Sequence, residues 1–172
     1  MHRRHLLAAS LAGPLARPAF GQTTRAKTLR FVPQAALAVL DPIFNPTTIV
    51  STHAYCVFDT LYGADRALRP HPQMAQGHQT SADGLTWTIR LRDGLAFHDG
   101  APVRARDCVA SINRWAARDA FGQVMMGAVN EIVATDDRTI TFRLKRPFPA
   151  LLDALAELAA SPCFMMPEST AL

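Results

Sequence analysis

Residues 83–115 constrain the fold of this chain more than any other stretch, because the hydrophobic period changes there from two to nearly four across a pair of glycine turns. From 86 to 92, Trp87, Ile89 and Leu91 alternate with Thr86, Thr88, Arg90 and Arg92, the pattern of a half-buried strand. Asp93-Gly94 turns the chain, residues 95–97 predict a short return strand, and His98-Asp99-Gly100 predicts a second turn. Asp bonds its own backbone in such turns, and Gly accepts positive φ without strain. A helix is predicted from Arg104. It places Cys108, Ile112, Trp115 and Ala116 on one apolar stripe and leaves Arg106, Asn113 and Arg114 facing outward.

The flanking sequence predicts smaller pieces of the same kind. Residues 28–32 alternate with Leu29 and Phe31 on one face and read as a first strand ending at Pro33. Leu40-Asp41-Pro42 and Asn45-Pro46 hold the next loop extended, since a residue before proline is pushed out of the helical region. Thr47 or Thr48 then caps a helix whose stripe is Val50, Ala54, Val57, Phe58 and Leu61, ending at Tyr62-Gly63. Residues 66–77 read as a connector without periodicity, and 120–130 are mixed. A hairpin is predicted from 132–134 and 139–144 around Asp136-Asp137-Arg138, with Ile140, Phe142 and Leu144 buried. Pro147-Phe148-Pro149 opens a last helix with Leu151, Leu155, Leu158 and Ala159 on one stripe. Ser161-Pro162 stops it, and 163–166 read as a buried strand.

Residues 1–21 have the three parts of a secretory signal: His2-Arg3-Arg4-His5, an apolar run over 6–16, and small residues around Ala19-Phe20-Gly21 before Gln22. The apolar run is shorter than the ~20 residues that span a bilayer, so cleavage near Gly21 and export are expected. Arg3-Arg4 also fits a twin-arginine signal, and the route stays open between that and general secretion. Three of the 18 basic residues, Arg3, Arg4 and Arg17, lie in this leader, which leaves 15 against 14 acidic ones. The net charge of +4 is therefore mostly an export signal, and a nucleic-acid partner is not expected. The sequence has no glycine-rich phosphate loop, no His-Glu-x-x-His, no Gly-x-Ser-x-Gly and no CxxC. His53 and Cys56 lack the further ligands a metal site needs, and His98-Asp99 sits in a turn where a structural role outweighs a catalytic dyad. Cys56, Cys108 and Cys163 all lie on apolar patterns and read as small buried hydrophobes. One bridge is allowed in an exported chain, and its pair stays open.

The run Asp83-Gly84-Leu85-Thr86-Trp87, continuing through Arg92-Asp93-Gly94, Phe97-His98-Asp99-Gly100 and Pro102-Val103 to Ala105-Arg106-Asp107, closely resembles the signature of the family 5 extracellular solute-binding proteins of ABC importers. Leu40-Asp41-Pro42, Phe58-Asp59-Thr60-Leu61-Tyr62 and Pro72-Gln73-Met74-Ala75 before it, and 136–142 after it, extend the resemblance over everything past the leader. Two positions depart from the pattern: Arg104 stands where a small polar cap is usual, and Cys108 where an aliphatic residue is usual. The resemblance implies a mixed α/β fold, the amino-terminal part of a two-lobed periplasmic binding protein of type II. It divides the chain into the leader at 1–21, the first strand and helix of lobe one at 22–62, and an extra subdomain of lobe one at 63–172. The second lobe is absent, so the solute is expected to bind weakly or not at all to these residues alone.

The resemblance further implies a periplasmic receptor with no catalysis and no cofactor. Its solute is expected to be a peptide or similar small molecule, its partner a membrane permease of the ABC type. Phe121, beside Gly122 in the segment read as irregular, is the leading cleft-lining candidate. Ser161 and Cys163 in the turn before the last strand come next, and Gln34 in the loop after the first strand is third. Two other readings stay open at this point: a small exported enzyme or metal-handling protein, and a truncated remnant without function.

Overall fold

The computed structural model describes residues 31–158 and 161–172. The leader at 1–21 and positions 28–30 of the expected first strand lie outside the described residues, while Phe31 and Val32 carry no regular structure. Asp41 folds the next loop back on itself, its Oδ1 accepting from the N–H groups of Ile43 and Phe44 at 3.0 and 3.2 Å. Helix α1 (Thr48–Ala54) follows, with Thr47 as an extended N-cap residue whose side chain makes no capping bond. The helix is shorter than the predicted stripe. After it come β1 (Asp59–Thr60), β2 (Tyr62–Ala64) and β3 (Pro70–Pro72), with β2 and β3 pairing antiparallel as Tyr62↔Pro72 and Ala64↔Pro70. Val50 and Ala54 are buried from the helix as expected, but Leu61 is buried from the bend between β1 and β2, and Tyr62 from β2. Pairing with strands remote in sequence overrides the helical period there.

Strand β4 (Ala75–Thr80) occupies the end of the stretch read as a connector. It is an edge strand with one buried residue, Ala75, and a polar remainder, so it shows no alternation to read. It pairs with β5 (Thr86–Leu91), the strand predicted from Trp87, Ile89 and Leu91. The Asp93-Gly94 and Asp99-Gly100 turns hold their glycines at φ 74° and 86°. The expected return strand does not pair back onto β5. Its middle residue makes one bridge, Ala96↔Pro102, so the segment closes on itself through Phe97 N–H to Ala101 O and Val103 N–H to Leu95 O.

Helix α2 (Ala105–Ala116) begins after Arg104, with Cys108, Ile112, Trp115 and Ala116 all buried. An arginine side chain has no acceptor for a capping bond. The reverse half of a capping box replaces it: Asp107 Oδ2 accepts the Arg104 N–H at 2.8 Å. Helix α3 (Ala120–Ala128) then corrects the reading of 120–130 as mixed; Asp119 caps it, accepting from Phe121 and Gly122 N–H at 2.8 and 2.9 Å. The predicted hairpin forms as β6 (Val129–Asp136) and β7 (Thr139–Leu144), longer on its first arm than expected. Helix α4 (Leu151–Leu155) stops at Ala156, leaving Leu158 half exposed, contrary to its predicted place on the stripe; Ala159 lies outside the described residues. Strand β8 (Phe164–Met165) and helix α5 (Glu168–Ala171) follow, and β8 pairs with β1 as Asp59↔Met165 and Thr60↔Phe164.

The four-stranded antiparallel sheet runs in the order β4-β5-β7-β6. Trp87 opposes Phe142 and Ile89 opposes Ile140 across its centre, and Ile132 opposes Phe142 from β6. This face packs under α2 through Ile112, Trp115 and Cys108, all fully buried. Burying a side chain of this size contributes about 1.5–3 kcal/mol relative to leaving it exposed, so this layer holds most of the driving force. The other face is polar, with an Arg143–Glu131 ion pair and a Thr135–Thr141 hydroxyl bond at 2.7 Å. Among the described residues no helix is long and apolar enough to cross a membrane.

Candidate functional site

α2 is the element on which the candidate residues converge. On one stripe of it, Trp115 Nε1 donates to the Ser161 carbonyl at 2.6 Å, and Ser111 Oγ accepts the Met166 N–H at 3.0 Å. One turn earlier, Asp107 Oδ1 accepts the Glu168 N–H at 2.9 Å. On its flank, Arg114 makes a two-point ion pair with Asp41 at 3.1 and 2.6 Å and reaches the Met166 sulfur at 3.4 Å. Beyond the helix end, Arg118 stacks over Phe44 at 5.6 Å. The loop before α1 and the segment around β8 are thus both fixed to one helix.

Phe121, expected in an irregular segment, stands in the first turn of α3. It is half-buried and meets Phe148 edge-on, with ring centroids 6.5 Å apart. Gly122 is buried for a packing reason. A Cβ there would stand 2.7 Å from the Ala116 Cα and 3.1 Å from the Trp115 ring, so α3 can approach α2 only through glycine. Ser161 is nearly buried and its carbonyl is taken by Trp115. Cys163 is fully buried, and burial pushes its thiol well above the usual range. The structure therefore brings Gly122 and Ser161 together around Trp115, places Phe121 one residue away, and leaves Cys163 fully buried, backbone included. Gln34 is exposed in a bend of the loop before α1 and makes none of these contacts.

Cys108 is buried as expected, its thiol pushed up to about 12 by desolvation and by Asp107. Cys56 departs from the expectation: it is exposed, in the turn after α1, because the helix ends before reaching it. All three thiols are free. His98-Asp99 occupies the Gly100 turn, and among the described residues no group of three metal-binding side chains is found.

Two features of this region left no mark in the sequence. Glu157, after α4, is pushed up to about 7, first by burial and then by the charge of and a hydrogen bond with Asp119, the α3 cap. Two carboxylates from separate elements carry no spacing that a sequence could show. The second is an apolar cleft of about 400 Å³ beside the β1–β8 pair, lined by Phe58, Leu95, Phe97 and Met165 with Asp59 and His98 at its margin. Its residues come from four separate stretches, Met74 supplying one of them.

A helix laid across an antiparallel sheet, with a short strand pair beside it, is a fold found among periplasmic binding proteins. The NikA protein of Brucella suis, solved with Fe(III)-EDTA, matches over 81% of this chain and 28% of its own length, with TM-score 0.67 and 20% identity, a likeness of fold alone. The PBP AgaA of A. tumefaciens R10, solved with agropinic acid, matches over 77% of this chain and 27% of its own, with TM-score 0.65 and 26% identity. In sequence, the chain is 48% identical over 120 residues to the probable peptide ABC transporter periplasmic-binding protein y4tO of Sinorhizobium fredii (strain NBRC 101917 / NGR234), covering 70% of this chain and 23% of the relative. It is 28% identical over 166 residues to the glutathione-binding protein GsiB of Escherichia coli (strain K12), covering 94% and 31%. The chain spans about a quarter to a third of the length of these curated relatives. Residues 69–170 match the bacterial extracellular solute-binding proteins, family 5 Middle. The chain belongs to that family.

Proposed function

We propose that this chain is part of the periplasmic substrate-binding component of an ABC importer, that its solute is a peptide or a similar small molecule, and that it performs no catalysis. The observation that carries the reading is the 48% identity to a relative named as a probable peptide-binding component, over 120 residues. The leader at 1–21 exports it, residues 22–62 belong to lobe one, and 63–172 form the extra subdomain of that lobe. In this reading a solute meets Phe121 and Gly122 at the start of α3, the segment of Ser161 and Cys163 before β8, and Gln34 in the loop before α1. A membrane permease receives the loaded protein.

A ligand cleft of this kind gains affinity by enclosing the solute, with a few polar groups fixing orientation. The half-buried Phe121 supplies apolar surface, and α2 holds the 161–166 backbone in a fixed position from behind. The test uses the whole receptor of which these residues are proposed to be part, purified from the periplasm of its own cell and titrated with trialanine and with reduced glutathione. A dissociation constant on the order of micromolar or tighter for either is expected, weakened by Phe121→Ala. Titrations flat for both compounds in a protein that melts cooperatively would overturn the peptide assignment. Intact-mass measurement of the same preparation, expected to be that of a chain cleaved near Gly21, checks the export reading.

A further inference from the structure

Asp107, Ser111 and Trp115 lie one helical turn apart on α2, and each bonds the backbone of residues 161–168. The partners run in the opposite direction, Glu168, Met166 and Ser161, so the segment is laid antiparallel along the helix. The three side chains are 7%, 1% and 0% exposed. A stripe serving packing alone would carry aliphatic residues there. Each polar atom instead needs this segment, because a buried donor or acceptor left unpaired is costly. The Ser111 hydroxyl shows the fit most closely: its oxygen takes the Met166 N–H, and its single proton is shared between the Asp107 carbonyl at 2.7 Å and the Met166 carbonyl at 3.1 Å. Asp107 also accepts the Arg104 N–H, so the start of α2 and the start of α5 are tied through one carboxylate.

We propose that Asp107, Ser111 and Trp115 are positioning residues for solute binding: from behind the rim, they set the backbone of 161–166 that borders the cleft. The proposal rests on the receptor reading above. Within this segment Met165 and Pro167 line the cleft beside the β1–β8 pair, so a shift of the segment moves that wall directly. No one of the three touches solute.

The protein is purified from its own periplasm as wild type, Trp115→Phe, Ser111→Ala, Ser111→Thr and Ile112→Val. Ile112 is the control, since it is fully buried on the same helix and has no side-chain polar group. Trp115→Phe and Ser111→Ala are expected to weaken trialanine binding about tenfold, the equivalent of one lost hydrogen bond. Ser111→Thr keeps the hydroxyl and restores affinity, and Ile112→Val lowers the melting temperature with affinity unchanged. Hydrogen exchange gives a second measurement that needs no solute: Ser111→Ala should speed exchange of the Met166 amide and leave the Ile140 amide alone. Affinity unchanged in Trp115→Phe and Ser111→Ala overturns the proposal. So does a loss that follows melting temperature alike in all variants, or equal acceleration of both amides. Wild-type protein that binds neither trialanine nor glutathione overturns the receptor reading and the solute half of this proposal together, and the Met166 amide then decides the remaining half.

Discussion

The four-stranded sheet and the two segments pinned to α2 are held by different physics. In the sheet, β5 and β7 pair through apolar residues that face each other at regular intervals, Trp87 with Phe142 and Ile89 with Ile140. Stability there comes from area removed from water, spread over many contacts. The loop at 41–44 and the segment at 161–168 are tied instead to four polar side chains of one helix, Arg114, Asp107, Ser111 and Trp115, although Cys163, Phe164, Met165 and Met166 are buried as deeply as the sheet centre. The sheet resists a lost contact by sharing the load among neighbours; the pinned segments depend on a few polar side chains of α2, each with its own partner. In this fold the scaffold is apolar and redundant, while the placement of the candidate rim is specified by a small set of polar bonds.

The largest expected effect breaks the sheet side of that contrast. Phe142 is fully buried at the sheet centre, and Phe142→Ala should cost about 3–5 kcal/mol, read as a lower urea midpoint with Met166 and Ile140 amides equally deprotected. A result under about 1 kcal/mol would mean that the sheet is not the main source of stability. Gly122→Ala comes second. Its Cβ would stand 2.7 Å from the backbone Cα of Ala116, so α3 has to move, at a cost of about 1–3 kcal/mol. Gly127, on the same helix, has open space around it, and Gly127→Ala should stabilise by up to about 1 kcal/mol through helix propensity. Equal effects at both glycines would show that α3 does not depend on its contact with α2.

The same contrast explains what the sequence could show. β5, α2 and the β6–β7 hairpin were legible because each exposes a period along one continuous stretch. Hidden elements owe their form to partners far along the chain. β1 has two residues and exists because β8 lies beside it. β4 is a polar edge strand without alternation. Helix α1 stops at Ala54, although Phe58 and Leu61 continue its period, because the next residues pair with β8 and β3. α3 was missed despite a capping signal in Asp119, since its apolar residues surround a glycine pair and give no clean stripe. Of the candidate site, the family pattern pointed to Phe121, Gly122, Ser161 and Cys163. Burial of Cys163 was legible as well, from its apolar run; that Gly122 is buried, and that Trp115 joins Gly122 to Ser161, depends on how α3 packs on α2 and leaves no local pattern.

Asp41 sharpens the pinned side of the comparison. Its carboxyl is held below the usual range first by the hydrogen bond from Arg114, and the turn N–H groups of Phe44 and Ile43 act the same way. A carboxyl whose folded value is depressed contributes stability fully above its ordinary value near 3.8, and loses it as pH falls through the folded value. The pair is partly exposed, with side chains at 25% and 36%, so solvent screening reduces its worth to about 1 kcal/mol or less. Asp41→Asn keeps an acceptor for the turn and removes the charge. It should lower stability by that amount at pH 7, less in high salt, and by nothing once the wild-type carboxyl is protonated. A difference that persists unchanged into strong acid would show that shape at the turn matters and the ion pair does not.

Glu157 gives an effect of similar size and the opposite sign. Burial, then Asp119, raise its carboxyl to about 7 from an ordinary value of 4.5. Between those two values the folded chain holds a proton that the unfolded chain has released, so stability falls as pH rises across this window and is flat above it. Asp119 caps α3 through the Phe121 and Gly122 N–H groups, so the substitution that leaves the cap intact is at Glu157. Glu157→Gln should leave stability unchanged at pH 4 and raise it at pH 8 by about 1 kcal/mol, the shift being discounted for the group's partial exposure. Its window lies above that of Asp41, so one series of urea melts from pH 2 to pH 9 separates the two. Equal stabilisation at pH 4 and pH 8 would mean that the amide simply packs better, and that Glu157 and Asp119 do not repel one another across the rim.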